Sequence, residues 1–218
     1  MTPSDDIATF AAPPYPGTPL ADAALLEALW RVVAAEGWRG ATIEAIAAEA
    51  GVSAAGLRAR FPIRALLLAR HASVVDRVVI DGTIPDGGGS PRERVFDVLM
   101  RRFDALQPGR AGILRLMEEL PRDPLTALAI VPLLPVSMAR MAEAAGIAAD
   151  GALGAVRVNG MAGVWLAAMR AWRKDDSVDL SATMAALDKA LDRAEGLARS
   201  LRLPDGDRMT LTAEPIQP

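Results

Sequence analysis

The chain has 218 residues, of which 51% are hydrophobic and 23% are charged, so it has enough apolar surface to form a packed core. It has no cysteine and a single histidine, His71, which excludes disulfide scaffolds and metal sites built from cysteines or several histidines. A net charge of −3 argues against a protein that coats nucleic acid indiscriminately, although a local basic surface can still bind DNA. Abundant Ala and Leu predict an all-α fold of about nine helices.

The ends and the apolar runs of the chain do not predict a secreted or membrane-spanning protein. The first residues lack a basic region followed by an apolar stretch, which a secretory signal would have. The most apolar run, Leu125 to Ala139, is too short to span a bilayer and contains two prolines. We therefore expect a cytoplasmic protein that makes no membrane contact. No cluster of catalytic residue types stands out, so we expect neither an enzyme nor a bound metal or cofactor.

Prolines and helical periodicity divide the first 80 residues into an arm and four helices. Residues 1–19 contain five prolines and predict a disordered arm. From there, apolar residues recur at helical spacing as far as Gly37, which is a natural residue to follow a helix end. Thr42 and Ser53 are predicted to cap two short helices, and a fourth helix follows. Residues 20–80 therefore predict a small helical domain.

A turn-rich break over residues 81–90 separates this small domain from a larger one. Five further helices are predicted over residues 91–202, and residues 203–218 are expected to form a flexible tail. Helix seven is predicted over residues 124–145 with kinks at its two internal prolines. Ser181 is predicted to cap the last helix.

Residues 42–61 have the spacing of a helix-turn-helix motif, in which the second helix enters the major groove of DNA. A tight turn at Gly51 joins two short helices, and burial of Leu57 turns the opposite face of the second helix outward. That face carries small residues that allow close approach, together with Arg58, which can reach a guanine edge or a phosphate. Seven arginines and four acidic residues between positions 31 and 80 give this region a net charge of +3.

This motif resembles the N-terminal DNA-binding region of the TetR family of ligand-responsive repressors. The family pattern T-x-x-x-I-A-x-x-A-G-V-S-x-x-x-L-x-x-x-F is matched at every specified position between Thr42 and Phe61. Ala55 and Gly56 replace a usual Gly-Thr pair, and Arg58 replaces a usual tyrosine. The resemblance implies a homodimer that binds a palindromic double-stranded DNA operator as a transcriptional repressor and is released by an apolar small-molecule effector.

The sequence and this resemblance together predict three sets of site residues. The set expected at the DNA is Arg39, Thr42, Ser53, Ala54, Ala55, Gly56, Arg58, Ala59, Arg60 and Arg64. Soft apolar side chains can line a cavity between helices, and the set expected at an effector site is Met100, Phe103, Met117, Met138, Met141, Met161, Trp165 and Met169. The same side chains are equally typical of a plain hydrophobic core.

The last two helices are expected to form the dimer interface, as they do in the resembling family. Helix eight has a face of small residues, and helix nine has an apolar seam with the alternating three- and four-residue spacing of helix-to-helix packing. The expected interface residues are Gly160, Gly163, Ala167, Met184, Leu187, Leu191, Ala194 and Ala198. Leu187 and Leu191 are predicted to be buried between the two subunits.

A second, looser resemblance involves residues 172–188. This segment is similar to the end of the ubiquinone-biosynthesis lipid-binding proteins, which share a TetR-like fold but bind lipid rather than DNA. The alternative function is therefore a lipid-binding accessory protein with a vestigial helix-turn-helix. A simpler interpretation of the segment is a tryptophan packed at a helix end, followed by an acidic loop.

Overall fold

The computed structural model of the protein describes residues 19–84, 88–203 and 206–208, and over these residues the fold is all-α, as predicted. The α-helices in chain order are α1 Pro19–Gly40, α2 Ile43–Glu49, α3 Ala54–Arg60, α4 Ala65–Asp81, α5 Pro91–Leu106, α6 Arg110–Glu119, α7 Pro124–Ile130, α8 Leu133–Ala144, α9 Gly151–Trp172 and α10 Ser181–Ser200. Two 3-10 turns, Gln107–Gly109 and Leu120–Arg122, flank α6.

The predicted arm and tail fall largely outside the described residues. Of the arm, only Pro19 is described, and it begins α1. Of the tail, Leu203 and residues 206–208 are described. Asp207 forms an isolated antiparallel bridge with Ile147, which follows α8. Residues 206–208 therefore lie against the junction between α8 and α9.

Local sequence signals account for the boundaries of the first three helices. Gly37 has a φ of 74°, so the regular part of α1 ends there, as predicted. The Thr42 hydroxyl caps α2 by accepting a hydrogen bond from the Ala45 amide at 3.1 Å. The Ser53 hydroxyl caps α3 in the same way. These three residues position the short helices that follow α1.

Two sequence predictions about helix ends were wrong. Predicted helix seven is two helices, α7 and α8, because Pro132 cannot donate the backbone hydrogen bond that a continuous helix requires. Ser181 does not cap α10 but is its first residue, and its amide donates to Ser177 Oγ at 3.1 Å and to Asp179 Oδ1 at 3.2 Å. The loop before α10 therefore satisfies the helix end that Ser181 was expected to cap.

The helices of the larger domain pack around aromatic and methionine side chains. α4 packs against α5 and α8, and α9 packs against both α8 and α10. Phe103 of α5 stacks on Trp165 of α9 with 4.3 Å between ring centroids. Met138 and Met141 of α8 are fully buried. These side chains belong to one continuous core that begins at Leu25 of α1 and extends to Leu191 of α10.

A buried carboxylate, Asp76, joins three helices of this core. It pairs with Arg102 of α5, accepts a hydrogen bond from Ser137 of α8 and accepts another from Arg140 Nη1 at 3.0 Å. Five residues earlier on α4, His71 Nδ1 accepts a hydrogen bond from Trp30 Nε1 at 3.1 Å. Burial, together with the charge of Arg102, lowers the pKa of His71 to about 4, so its side chain is neutral at pH 7.

Two stretches, Pro124–Ala144 and Gly151–Trp172, are long and apolar enough to cross a membrane, judged by length and composition alone. The first is divided between α7 and α8, and neither helix has the roughly 20 residues that a straight span needs. The second is α9, which packs against α8 and α10. In the 18-residue window that is most apolar, 28% of the first stretch and 44% of the second are buried in the protein.

Candidate nucleic-acid interface

α2, the turn after it and α3 form the predicted helix-turn-helix. Gly51 forms the turn with a φ of 66°, a conformation that favours glycine. Ile46 of α2 and Leu57 of α3 are buried in the core of this unit, with Phe61 directly after α3. Because this face of α3 is buried, the opposite face is turned to solvent.

Most of the residues predicted to contact DNA are on the surface. Ala54 is half-buried at the start of α3. Seven of the ten are exposed, namely Arg39, Thr42, Ser53, Ala55, Gly56, Arg58 and Ala59. The hydroxyls of Thr42 and Ser53 act as helix caps through their acceptor oxygens, so each keeps a hydrogen to donate to a phosphate. Apart from Arg58, the exposed residues of α3 are small.

Arg58 is the one long side chain that projects from the exposed face of α3, and it is paired. Its guanidinium contacts the carboxylate of Glu44, which lies in the first turn of α2, and both side chains are 57% exposed. An ion pair exposed to this extent contributes only about 0–1 kcal/mol to stability. A DNA phosphate can therefore compete with Glu44 for Arg58.

Two predicted DNA contacts, Arg60 and Arg64, are half-buried and paired with other groups of the same chain. Arg60 pairs with the buried carboxylate of Asp22 on α1, which also pairs with Arg70 on α4. Burial raises the pKa of Asp22, but the hydrogen bonds from Arg70 and Arg60 outweigh it and lower the pKa below its usual value. Arg64 Nη1 donates to the Trp38 carbonyl at 2.5 Å, and its guanidinium lies 4.5 Å from the Trp38 ring centroid. Both arginines therefore tie α3 and α4 to α1.

The end of α1 is attached to the larger domain through Trp38, which the sequence analysis missed. Its backbone amide donates to Glu119 Oε2 at 2.9 Å, and its indole Nε1 donates to Thr126 Oγ1 at 2.9 Å. A Cβ atom at Gly37 would lie 2.3 Å from Glu119 Oε1, so the glycine permits this close approach. The available sequence signal was a tryptophan directly after the glycine that ends a helix.

Comparison with known proteins agrees with this geometry. Residues 25–70 match the family model described as bacterial regulatory proteins, tetR family. The chain carries a tetR-family domain. No curated protein is similar enough to the chain to count as a match.

Solved structures share the fold of most of the chain, beyond the tetR-family domain. The TetR transcriptional regulator from Nitrosomonas europaea is 20% identical with a TM-score of 0.65, and the match covers 82% of this chain and 99% of that one. A TetR-family regulator from Mesorhizobium loti is 12% identical with a TM-score of 0.54, covering 82% of this chain and 96% of that one. At these identities the likeness establishes the fold.

The residues predicted to line an effector site are mainly core residues of the larger domain. Phe103, Met138, Met141, Met161, Trp165 and Met169 are buried, whereas Met100 and Met117 are half-buried against the same core. No member of this set lines the groove between the end of α5 and the loop that follows α9, or the groove between α1 and the start of α6. These soft side chains fill the space between the helices that follow the tetR-family domain.

The predicted dimer residues separate into two groups. Leu187 and Leu191 are buried within a single chain, because α10 turns its apolar seam toward α9 and α5 of the same subunit. Their predicted burial between subunits was therefore wrong. Met184, Ala194 and Ala198 are half-buried on the same helix.

The α9 members of the set lie on a surface face. Gly160 and Gly163 are exposed, and a Cβ atom at either position would meet nothing within 4 Å. Ala167 is half-buried beside them. Val156 and Leu166, which are exposed on the same helix, extend this apolar face.

The loop between α9 and α10 is organised by Asp175. Its carboxylate accepts hydrogen bonds from the amide and hydroxyl of Thr183 at 2.7 and 2.6 Å, and from the amide of Ser177 at 3.2 Å. Burial raises the pKa of Asp175, but the hydrogen bond from the Ser177 hydroxyl, together with those from Thr183 and the Ser177 amide, lowers it to about 2. The loop borders a groove of about 460 Å³ against the end of α5. Among the described residues, no group of three or more His, Asp or Glu side chains is arranged to hold a metal ion.

Proposed function

We propose that this protein is a transcription regulator that binds a palindromic DNA operator as a homodimer. The observation that carries the proposal is the exposed face of α3 within a tetR-family helix-turn-helix. Small residues at Ala55, Gly56 and Ala59 let the helix backbone approach the base edges closely. Arg58 and Arg39 supply positive charge at this surface.

The exposed face of α9 supports the homodimer. A two-fold dimer places two recognition helices about 34 Å apart, on neighbouring turns of the duplex. The Gly160 and Gly163 positions allow two helix backbones to approach closely, and the apolar neighbours on α9 gain a partner. Replacing Gly163 by Arg leaves the subunit fold intact, because that side chain points to open space. Sedimentation velocity should then show monomers, whereas the control Val178→Arg, at a fully exposed loop position, should stay dimeric.

Regulation by a small molecule and a repressor role are further parts of the proposal. α1 of the helix-turn-helix unit packs directly on α6 of the larger domain and is also tied to it through Trp38. A ligand that changes this contact changes the position of both recognition helices. By thermodynamic linkage, the factor by which the ligand weakens DNA binding equals the factor by which bound DNA weakens binding of the ligand.

The test of DNA binding is a titration of the purified protein against DNA from its own upstream region at several salt concentrations. If Arg58 contacts a base, Arg58→Ala should cost about 1–3 kcal/mol and relax specificity at one position. If it contacts a phosphate, the loss should be equal for all sequences, and the salt slope should fall by about one. An unmodified protein that shows no sequence preference at physiological salt contradicts the proposal.

A second candidate function, lipid binding, is favoured by the surface of α7. Leu125 and Leu128 of α7 are 79% and 73% exposed, and Val131, directly after the helix, is 61% exposed. Exposed apolar clusters of this kind mark interaction surfaces, including lipid-facing ones. This candidate predicts flotation with phospholipid vesicles that contain an isoprenoid quinone, and loss of flotation in Leu125→Glu/Leu128→Glu. Flotation combined with an absence of sequence-specific DNA binding would select it over the regulator.

A further inference from the structure

A groove of about 310 Å³ lies on the surface between α1 and the start of α6. Its floor is formed by the buried Trp30, Gly109 and Gly112. A Cβ atom at Gly109 would lie 2.7 Å from Trp30 Cδ1, and one at Gly112 would lie 2.5 Å from the Trp30 carbonyl oxygen. The two glycines therefore allow α6 to lie directly against the tryptophan. A volume of this size is at the lower end of the range for small-molecule sites.

The charges at the rim favour a cation over an anion. Arg31 Nε donates to Glu49 Oε1 of α2 at 2.6 Å, so the positive charge at the rim is already neutralised. Glu27 lies 3.7 Å from Arg31 Nη1 in a loose contact, and its side chain is 66% exposed. The groove therefore has an excess of negative charge that is available to a ligand.

The tryptophan at the floor points to the same ligand class. Its Nε1 proton is donated to His71 Nδ1, so it is not available to an anionic or carbonyl group in the groove. An indole ring attracts a nearby cation through its electron-rich face. The remaining rim residues, Ala34, Pro108 and Ala111, offer only small apolar surface.

We propose that this groove binds a small organic cation with an apolar or aromatic body, held between Trp30 and Glu27. The groove lies between the helix-turn-helix unit and the larger domain, and the Arg31–Glu49 pair at its rim connects α1 to α2. A cation at Glu27 releases the loose contact with Arg31, and its apolar body separates α1 from α6. This inference rests on the proposed regulator function for its consequence, since the bound cation is then the effector that alters DNA affinity.

Benzyltrimethylammonium is a suitable probe, and benzenesulfonate is its anionic counterpart. Titration of the full-length protein should shift the indole N–H resonance of Trp30 in ¹⁵N NMR spectra, whereas benzenesulfonate should not. Glu27→Gln should weaken the cation about fivefold through loss of an exposed ion pair. Glu36→Gln is the matched control, because Glu36 is an exposed acid on α1 that does not line the groove. Ala111→Leu should fill the groove and abolish binding.

Different outcomes separate this inference from the proposed function. An unchanged Trp30 resonance at millimolar cation, or equal binding by Glu27→Gln and the unmodified protein, overturns the cation site. Binding of the cation by a protein with no sequence preference for DNA supports the site and contradicts the regulator. A third outcome is a protein that binds both the cation and DNA of specific sequence, with a DNA affinity that changes when the cation is added and no longer changes in Ala111→Leu. This outcome supports both the cation site and the regulator function.

Discussion

The pairing of Arg58 with Glu44 leads to a quantitative prediction about DNA binding. In the structure, the longest side chain on the exposed face of α3 is neutralised by an acid on α2. Glu44→Gln removes that competitor while it retains a side chain of the same shape. Arg58 is then free to neutralise one further phosphate. The logarithm of the DNA-binding constant falls as the logarithm of the salt concentration rises, and each neutralised phosphate makes that slope steeper by about 0.9.

The magnitude of the effect depends on salt in a defined way. One additional phosphate contact raises affinity about eightfold at 0.1 M salt and about fourfold at 0.2 M, following the same slope. Loss of the exposed pair should lower the free energy of unfolding by no more than about 1 kcal/mol. The variant therefore binds DNA more tightly while being slightly less stable.

The assay is fluorescence anisotropy with labelled operator DNA at four or more salt concentrations. Glu49→Gln is the matched control, because it removes the same charge from α2 but frees Arg31 rather than Arg58. Arg58→Ala made in the Glu44→Gln background should make the slope about 0.9 less steep than that of Glu44→Gln alone. If Glu44→Gln steepens the slope no more than Glu49→Gln does, release from Glu44 gives Arg58 no further phosphate contact, which contradicts the prediction.

Two further predictions concern the contacts between α1 and the rest of the molecule. Gly112→Ala should destabilise the protein by about 1–3 kcal/mol because its Cβ would overlap the Trp30 carbonyl. The control Gly196→Ala, in open space on α10, should stabilise the protein by up to about 1 kcal/mol through helix propensity. Urea denaturation measures both free energies of unfolding, and equal effects of the two variants would contradict the close approach of α6 to Trp30. His71 is neutral when folded and protonates more readily when unfolded, so stability should fall by about 3 kcal/mol as the pH drops from about 6.5 to about 4. His71→Gln keeps an acceptor for Trp30 and should remove that part of the pH dependence, and an unchanged pH profile of unfolding would show that His71 is not buried in solution.

Composition and local motifs were sufficient to predict the fold class and the helix-turn-helix. The caps at Thr42 and Ser53 and the helix break at Gly37 depend on the backbone within a few residues of each position, so they are visible in the sequence. The match of residues 42–61 to a family pattern depends on the same short-range order. The exposed face of α3 follows directly from which of its residues are apolar.

Partners that are distant in sequence could be assigned only from the tertiary structure. The sequence marks Arg60 and Arg64 as charged residues near a DNA-binding helix, but the fold brings Asp22 and Trp38 to them across more than 20 positions. Similarly, the regular seam that includes Leu187 predicts helix packing without specifying whether the other helix belongs to the same chain. A periodic pattern records which face of a helix is apolar, whereas the identity of the surface that covers it depends on how all the helices pack together.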